Sequence, residues 1–145
     1  VTTEPFTDQE PGMKAACLTM LLLLATAAQA GPAEQIAGYR SAAQAADPSF
    51  KDFSAERGRE LYYRKVMKNG KLMSCASCHS QDPRQPGQTP AFRPIGPMAT
   101  AVNPKRFTDP QKTEKWFRRN CDDVLSRLCT PQEKGDYLTF LSSIR

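Results

Sequence analysis

Histidine is almost missing from this chain: of its 145 residues only His79 carries an imidazole. A metal site built from two histidines is therefore excluded. Long apolar runs are missing too. The most apolar stretch, Leu18 to Leu24, is far short of the about 20 residues a membrane-spanning helix needs. No alternation of apolar and polar residues marks a strand, and no segment repeats. No paired carboxylates stand out as an acid–base couple, and no second set of metal ligands points to a turnover chemistry. Acidic residues are outnumbered, 15 against 20 Lys and Arg, for a net charge of +5.

The start of the chain has the pattern of an export leader rather than of folded protein. Met13-Lys-Ala-Ala-Cys opens a basic segment, Leu18 to Leu24 is the short apolar core, and Ala28-Gln-Ala30 is a cleavage-type ending. Residues 13–30 are expected to be a signal peptide. Residues 1–12, which lack any such pattern, are expected to be untranslated or unstructured, with Met13 as the first residue. The mature chain is then residues 31–145, one small domain in the periplasm with no membrane segment left after cleavage. Without Lys14, Glu4, Asp8 and Glu10 its net charge becomes +7. That charge suits an acidic redox partner or an anionic membrane face. It would also suit nucleic acid, which an exported chain does not meet, so no nucleic-acid partner is expected.

Five cysteines are present. Cys17 leaves with the leader, and the other four enter an oxidising compartment. Residues 75–79 read Cys-Ala-Ser-Cys-His. C-x-x-C-H is the attachment motif for c-type haem: two sulfurs bond the porphyrin edge and the adjacent histidine takes an axial position on iron. Cys75 and Cys78 are thus the expected covalent attachment points of one haem c, and His79 an axial ligand. The other ring nitrogen of His79 is expected to donate to a backbone carbonyl, with the proline-rich loop as its source. Cys121 and Cys129 remain as a disulfide pair; two free buried thiols, or a zinc site using all four cysteines, are the alternatives.

The mature chain reads as all-α: four to five helices around a prosthetic group. Pro32 to Ala46 is an alanine-rich helix ending at Asp47-Pro48. Ser54 caps a second helix through about Val66. Six prolines between Pro83 and Pro104 rule out a helix from Ser80 to Phe107 and predict a long loop wrapping the haem. Thr108 is the expected cap of the next helix, which carries Trp116, Phe117, Val124, Leu125 and Leu128. Thr130-Pro-Gln-Glu133 is a capping box opening the last helix, with Tyr137, Leu138, Phe140, Leu141 and Ile144 facing inward. Met98 is the only methionine after the haem motif, and one candidate for the second axial ligand. It lies only 19 residues beyond His79.

Arg106-Phe-Thr-Asp, Glu114-Lys-Trp, Arg119-Asn120-Cys121 and Cys129-Thr-Pro-x-Glu-Lys134 resemble the sphaeroides haem protein family of high-spin, oxygen-binding c-type cytochromes. The likeness extends to Ile36-Ala-Gly-Tyr39 and the haem motif and is weakest from Gln81 to Asn103. The resemblance implies a small mono-haem cytochrome c fold. It implies Asn120 as the second axial ligand and a bridge between Cys121 and Cys129. A related group, the cytochromes c-double-prime, has histidine where this chain has Asn120. The resemblance also implies a diatomic ligand, oxygen or nitric oxide, binding where Asn120 is displaced. A di-haem cytochrome c or a membrane cytochrome b is the implied redox partner. Oxygen or nitric oxide oxidoreductase activity would follow downstream. A plain electron carrier, closed permanently by Met98, is the competing expectation.

Overall fold

The computed structural model describes residues 31–145 and, before them, Thr2 alone. The expected leader over 13–30, and the segment ahead of it apart from Thr2, lie outside the described residues.

Among the described residues five helices carry the architecture. The first, α1 (Pro32–Ala46), begins with proline at its first position, where a missing N–H costs nothing, and stops at Asp47 ahead of Pro48. The second, α2 (Ala55–Tyr63), is capped by Ser54, whose hydroxyl accepts from Arg57 N at 3.2 Å. It ends three residues earlier than the sequence suggests, because Val66 turns into a strand. A hairpin follows, β1 (Val66–Lys68) paired antiparallel with β2 (Lys71–Met73). Asn69 and Gly70 sit at its tip with φ of 50° and 74°, the paired left-handed geometry that a two-residue hairpin turn requires. One helical turn, α3 (Ala76–His79), carries the haem motif. The proline-rich loop contains only a two-residue pairing, β3 (Gly87–Gln88) against β4 (Pro94–Ile95). These strands correct the expectation of none. At two or three residues each they are too short for alternation to register. Then come α4 (Pro110–Leu125) and α5 (Pro131–Ser143).

Two helix starts show what local signals do. Thr130 and Glu133 form the expected capping box: Thr130 Oγ1 accepts from Glu133 N at 3.1 Å and Glu133 Oε2 from Thr130 N at 2.9 Å. At α4 the cap is Asp109, not Thr108. Asp109 Oδ1 accepts from Lys112 N at 2.9 Å, while Thr108 donates backward to Lys105 O. A carboxylate competes well with a hydroxyl for an N-terminal N–H, since its charge also meets the helix dipole.

Helix α5 is the spine, with α1 and α2 packed on it. Tyr62, Leu138 and Leu141 are fully buried, and Leu61, Phe117, Tyr137 and Phe140 complete the apolar centre. Ile144 is only partly buried, and Leu128, beyond the end of α4, is exposed. The Phe117 and Tyr137 rings meet edge to face at 5.6 Å, as do Tyr39 and Phe117 at 6.0 Å. Buried Asp136 on α5 accepts from Ser54 N at 2.7 Å and from the Arg57 guanidinium at 2.8 and 2.9 Å. This holds the start of α2 against α5. Glu114 on α4 joins three helices, accepting from Tyr39 on α1 at 2.5 Å and from Lys134 on α5 at 2.7 Å.

Candidate haem site

The local geometry of residues 74–79 explains their spacing. Ser77 Oγ accepts from Ser74 N at 3.0 Å, and His79 N donates to Cys75 O at 3.0 Å. These bonds close one turn. Residues at i, i+3 and i+4 share a helix face, so Cys75, Cys78 and His79 are presented on one side. Two sulfurs and an imidazole can therefore reach one flat group together.

Tertiary contacts lock the end of that turn. Tyr62 Oη lies 2.7 Å from His79 O and 2.8 Å from Ser80 O, and its single proton is shared between them. The proline-rich loop closes from the other direction. A Cβ on Gly87 would stand 2.0 Å from Cys78 O and 2.9 Å from His79 Cα, so only glycine fits there. Neither Tyr62 nor Gly87 is marked in the sequence. The loop's prolines hold two glycines, Gly87 and Gly96, and sequence alone does not tell them apart.

His79 is neutral at physiological pH. Burial, and then the Arg106 guanidinium, push its pKa down to about 4. A neutral imidazole has a lone pair to offer a metal. The expected carbonyl partner for its other nitrogen is not there: Nδ1 is buried without a hydrogen bond. The loop meets the peptide backbone of Cys78 and His79 through Gly87, and no carbonyl reaches the ring. Burial also pushes the Cys75 thiol up to about 11 and raises Cys78, so both are thiols rather than thiolates.

Across from His79 stands Asn120. Its side-chain nitrogen is 3.4 Å from His79 Nε2, although 41 residues separate the two in sequence. Turning the amide by half a revolution interchanges Nδ2 and Oδ1 without moving the backbone, and points the carbonyl oxygen at the imidazole. The next residue, Cys121, is bonded to Cys129, with Cα atoms 5.6 Å apart. Ser126, in a left-handed conformation at φ 57°, ends α4 and lets the chain double back to make that bond. Two of the four cysteines are thereby consumed, which removes the four-cysteine zinc site. Among the described residues no cluster of three or more metal-binding side chains exists.

Met98 is placed differently. It is 5% exposed and packs in the apolar core, with its N–H donating to Pro83 O at 2.9 Å. Arg106 braces the same loop, donating to Pro97 O at 3.1 Å and Gly96 O at 2.5 Å. Trp116 is largely exposed and makes a cation–π contact with Arg119.

These residues fit a haem. Two thiols and a neutral imidazole share one face, and an amide carbonyl can be brought to face that imidazole.

Comparison with known proteins agrees. Residues 48–141 match a family described as Domain of unknown function (DUF1924). The chain is 43% identical over 121 residues to Cytochrome c-type protein SHP of Cereibacter sphaeroides, covering 82% of this chain and 88% of that protein. It is 36% identical over 105 residues to Cytochrome c'' of Methylophilus methylotrophus, covering 71% of this chain and 73% of that one. Among solved structures, oxidised SHP, described as an oxygen binding cytochrome c, superposes with a TM-score of 0.71 at 40% identity, over 80% of this chain and 99% of that one. Oxidised cytochrome c'' from Methylophilus methylotrophus also gives 0.71, at 33% identity, over 77% and 93%. With the fold, the attachment motif and these relatives in agreement, the chain belongs to the SHP and cytochrome c'' family of c-type cytochromes, and its cofactor is haem c.

Proposed function

We propose that this cytochrome, exported by a leader over residues 13–30 and mature from residue 31, accepts electrons in the periplasm and binds a diatomic gas at a site that Asn120 vacates. Haem c supplies an iron that exchanges one electron and binds small gases. Cys75 and Cys78 would tether it, and His79 and Asn120 would hold its iron. The observation that carries this reading is the approach of the Asn120 amide to His79 Nε2 at 3.4 Å.

Asn120 suits a displaceable ligand. Its carbonyl oxygen is neutral and weakly donating, while both amide protons stay free. Such a donor would suit a ferric centre better than a ferrous one, and its N–H groups would be available to donate to a gas molecule bound in its place. The Cys121–Cys129 bridge holds the backbone of Asn120 in place, so the side chain moves on a fixed hinge. SHP, an oxygen-binding relative by its description, supports the gas-binding half of the proposal. A cytochrome, di-haem c or membrane b, is the proposed electron source. Oxygen or nitric oxide turnover stays a downstream expectation, since the site offers no acid–base pair.

Absorption spectra of the oxidised and reduced holoprotein, with and without carbon monoxide, test the reading. A high-spin reduced spectrum that shifts on adding carbon monoxide is expected. A sharp low-spin reduced spectrum without added ligand would rule out displacement and return the protein to the class of plain carriers.

A further inference from the structure

The hairpin that precedes the haem motif has a face the cytochrome reading leaves unused. Met67 and Leu72 are directly opposed across β1 and β2, and both are well exposed, at 63% and 59%. Side chains alternate across a strand, so Val66, Lys68, Lys71 and Met73 belong to the other face. Val66, Lys68 and Met73 turn that inner face to the body of the protein, whereas Lys71, beside the turn, stays exposed at the hairpin's edge. Val66 and Met73 are partly covered, and Lys68 Nζ donates to Asp122 O at 2.5 Å, near Asn120 at the end of α4. Met67 and Leu72 therefore point away from α4.

The surroundings of this pair are basic. From Leu61 to Gln81 there is no acidic residue, but there are Arg64, Lys65, Lys68 and Lys71. Arg64 faces Glu133 at 3.6 Å, whereas Lys65 and Lys71 make no ion pair among the described residues. On α4, Asp122 meets the inner face through its backbone carbonyl, and Asp123 is near Arg119 at 3.9 Å. The Asn69-Gly70 turn holds the hairpin in one conformation, so little ordering is needed on docking.

Taking the haem attachment above as given, we propose that the outer face of the Val66–Met73 hairpin is the docking surface for an acidic protein electron donor. An apolar centre containing methionine, rimmed by charge, has the composition of a protein interface. Its small size matches the low end of interface area, where transient redox encounters fall. Location gives it purpose. Leu72 is three residues from Cys75, so at most about 10 Å of chain separates the surface from the haem edge. A donor seated there has a short path for the electron. The lysines steer the encounter, and the Met67–Leu72 pair excludes water at its centre.

Stopped-flow reduction of the oxidised holoprotein by reduced flavodoxin, an acidic electron carrier, is the test. The wild-type second-order rate should fall steeply with salt. Lys65→Glu/Lys71→Glu should lower it about tenfold at low salt and flatten the salt dependence. Met67→Ser/Leu72→Ser should lower it at all salt concentrations. All variants should keep the wild-type Soret spectrum and the wild-type rate with dithionite. Lys51→Glu, between α1 and α2, should react at the wild-type rate. Wild-type rates in both hairpin variants, an equal loss in Lys51→Glu, or a salt-independent wild-type reaction would overturn the proposal. So would hairpin-dependent binding to vesicles rich in anionic lipid without any change in the flavodoxin rate. Absence of a Soret band would instead overturn the haem assignment, which separates the two failures.

Discussion

Replacing Gly87 with alanine probes how the proline-rich loop holds the haem motif. The added Cβ would lie 2.0 Å from Cys78 O and 2.9 Å from both Cys78 C and His79 Cα. Carbon contacts are comfortable at about 3.5 Å, so the loop and α3 must separate by about 1.5 Å. Both sides of the contact are backbone, and no flexible side-chain end can yield. Overpacking of this kind costs about 1–3 kcal/mol. For a chain of this size that lowers the melting temperature by about 4–12 °C. His79 sits on the displaced backbone, so the oxidised spectrum should change as well. Gly38→Ala is the companion measurement. Gly38 lies within α1, and a Cβ there meets nothing within 4 Å. Removing its backbone freedom should stabilise by about 0.5–1 kcal/mol. Thermal unfolding of both holoproteins, followed in the far-UV and at the Soret band, gives the comparison. A Gly87→Ala protein as stable as wild type, with an unchanged spectrum, would refute the close approach.

Asn120→Ala should alter the oxidised spectrum, while Met98→Leu should leave it unchanged; the reverse pattern would make Met98 the ligand. Reducing the Cys121–Cys129 bridge should lower stability by about 2.5 kcal/mol on the loop-entropy account, read from urea unfolding of the wild type against the double serine variant. Acid should weaken the start of α5. Arg127 foremost, with Thr130 N and Arg64, holds the Glu133 carboxyl below its ordinary range against the opposing effect of burial. A depressed folded pKa contributes stability above the unfolded value of about 4.3 and loses it as pH falls through the folded one. Glu133→Gln should therefore narrow the gap between urea midpoints at pH 7 and pH 3; an unchanged gap would remove Glu133 from the acid response.

Legibility followed the range of the interactions. The helix of residues 32–46, the capping box at Thr130–Glu133 and the inward face of the last helix were readable because proline geometry, caps and helical periodicity act within a few residues. Sequence does not separate Thr108 from Asp109, because two adjacent residues both carry cap chemistry and only the path of the incoming chain chooses between them. Val66 suits either a helix face or a strand, and its pairing with Met73 ends the second helix at Tyr63. Leu128 continued the apolar pattern of the fourth helix on paper, yet the left-handed Ser126 ends the helix before it and leaves it in solvent.

At the site the same division holds. One turn of helix suffices to put Cys75, Cys78 and His79 on one face, so the motif determines the cofactor with no help from the rest of the chain. The count of histidines, also written in the sequence, determines that a second imidazole cannot close the iron. Tertiary structure decided the rest. Packing of α4 against the body of the fold brings Asn120 to His79 across 41 residues. It also puts Met98 in the core, seats Gly87 on the haem motif, and leaves the ring Nδ1 without the carbonyl expected for it. These outcomes depend on which surfaces meet when the helices pack, and no local rule of sequence contains that information.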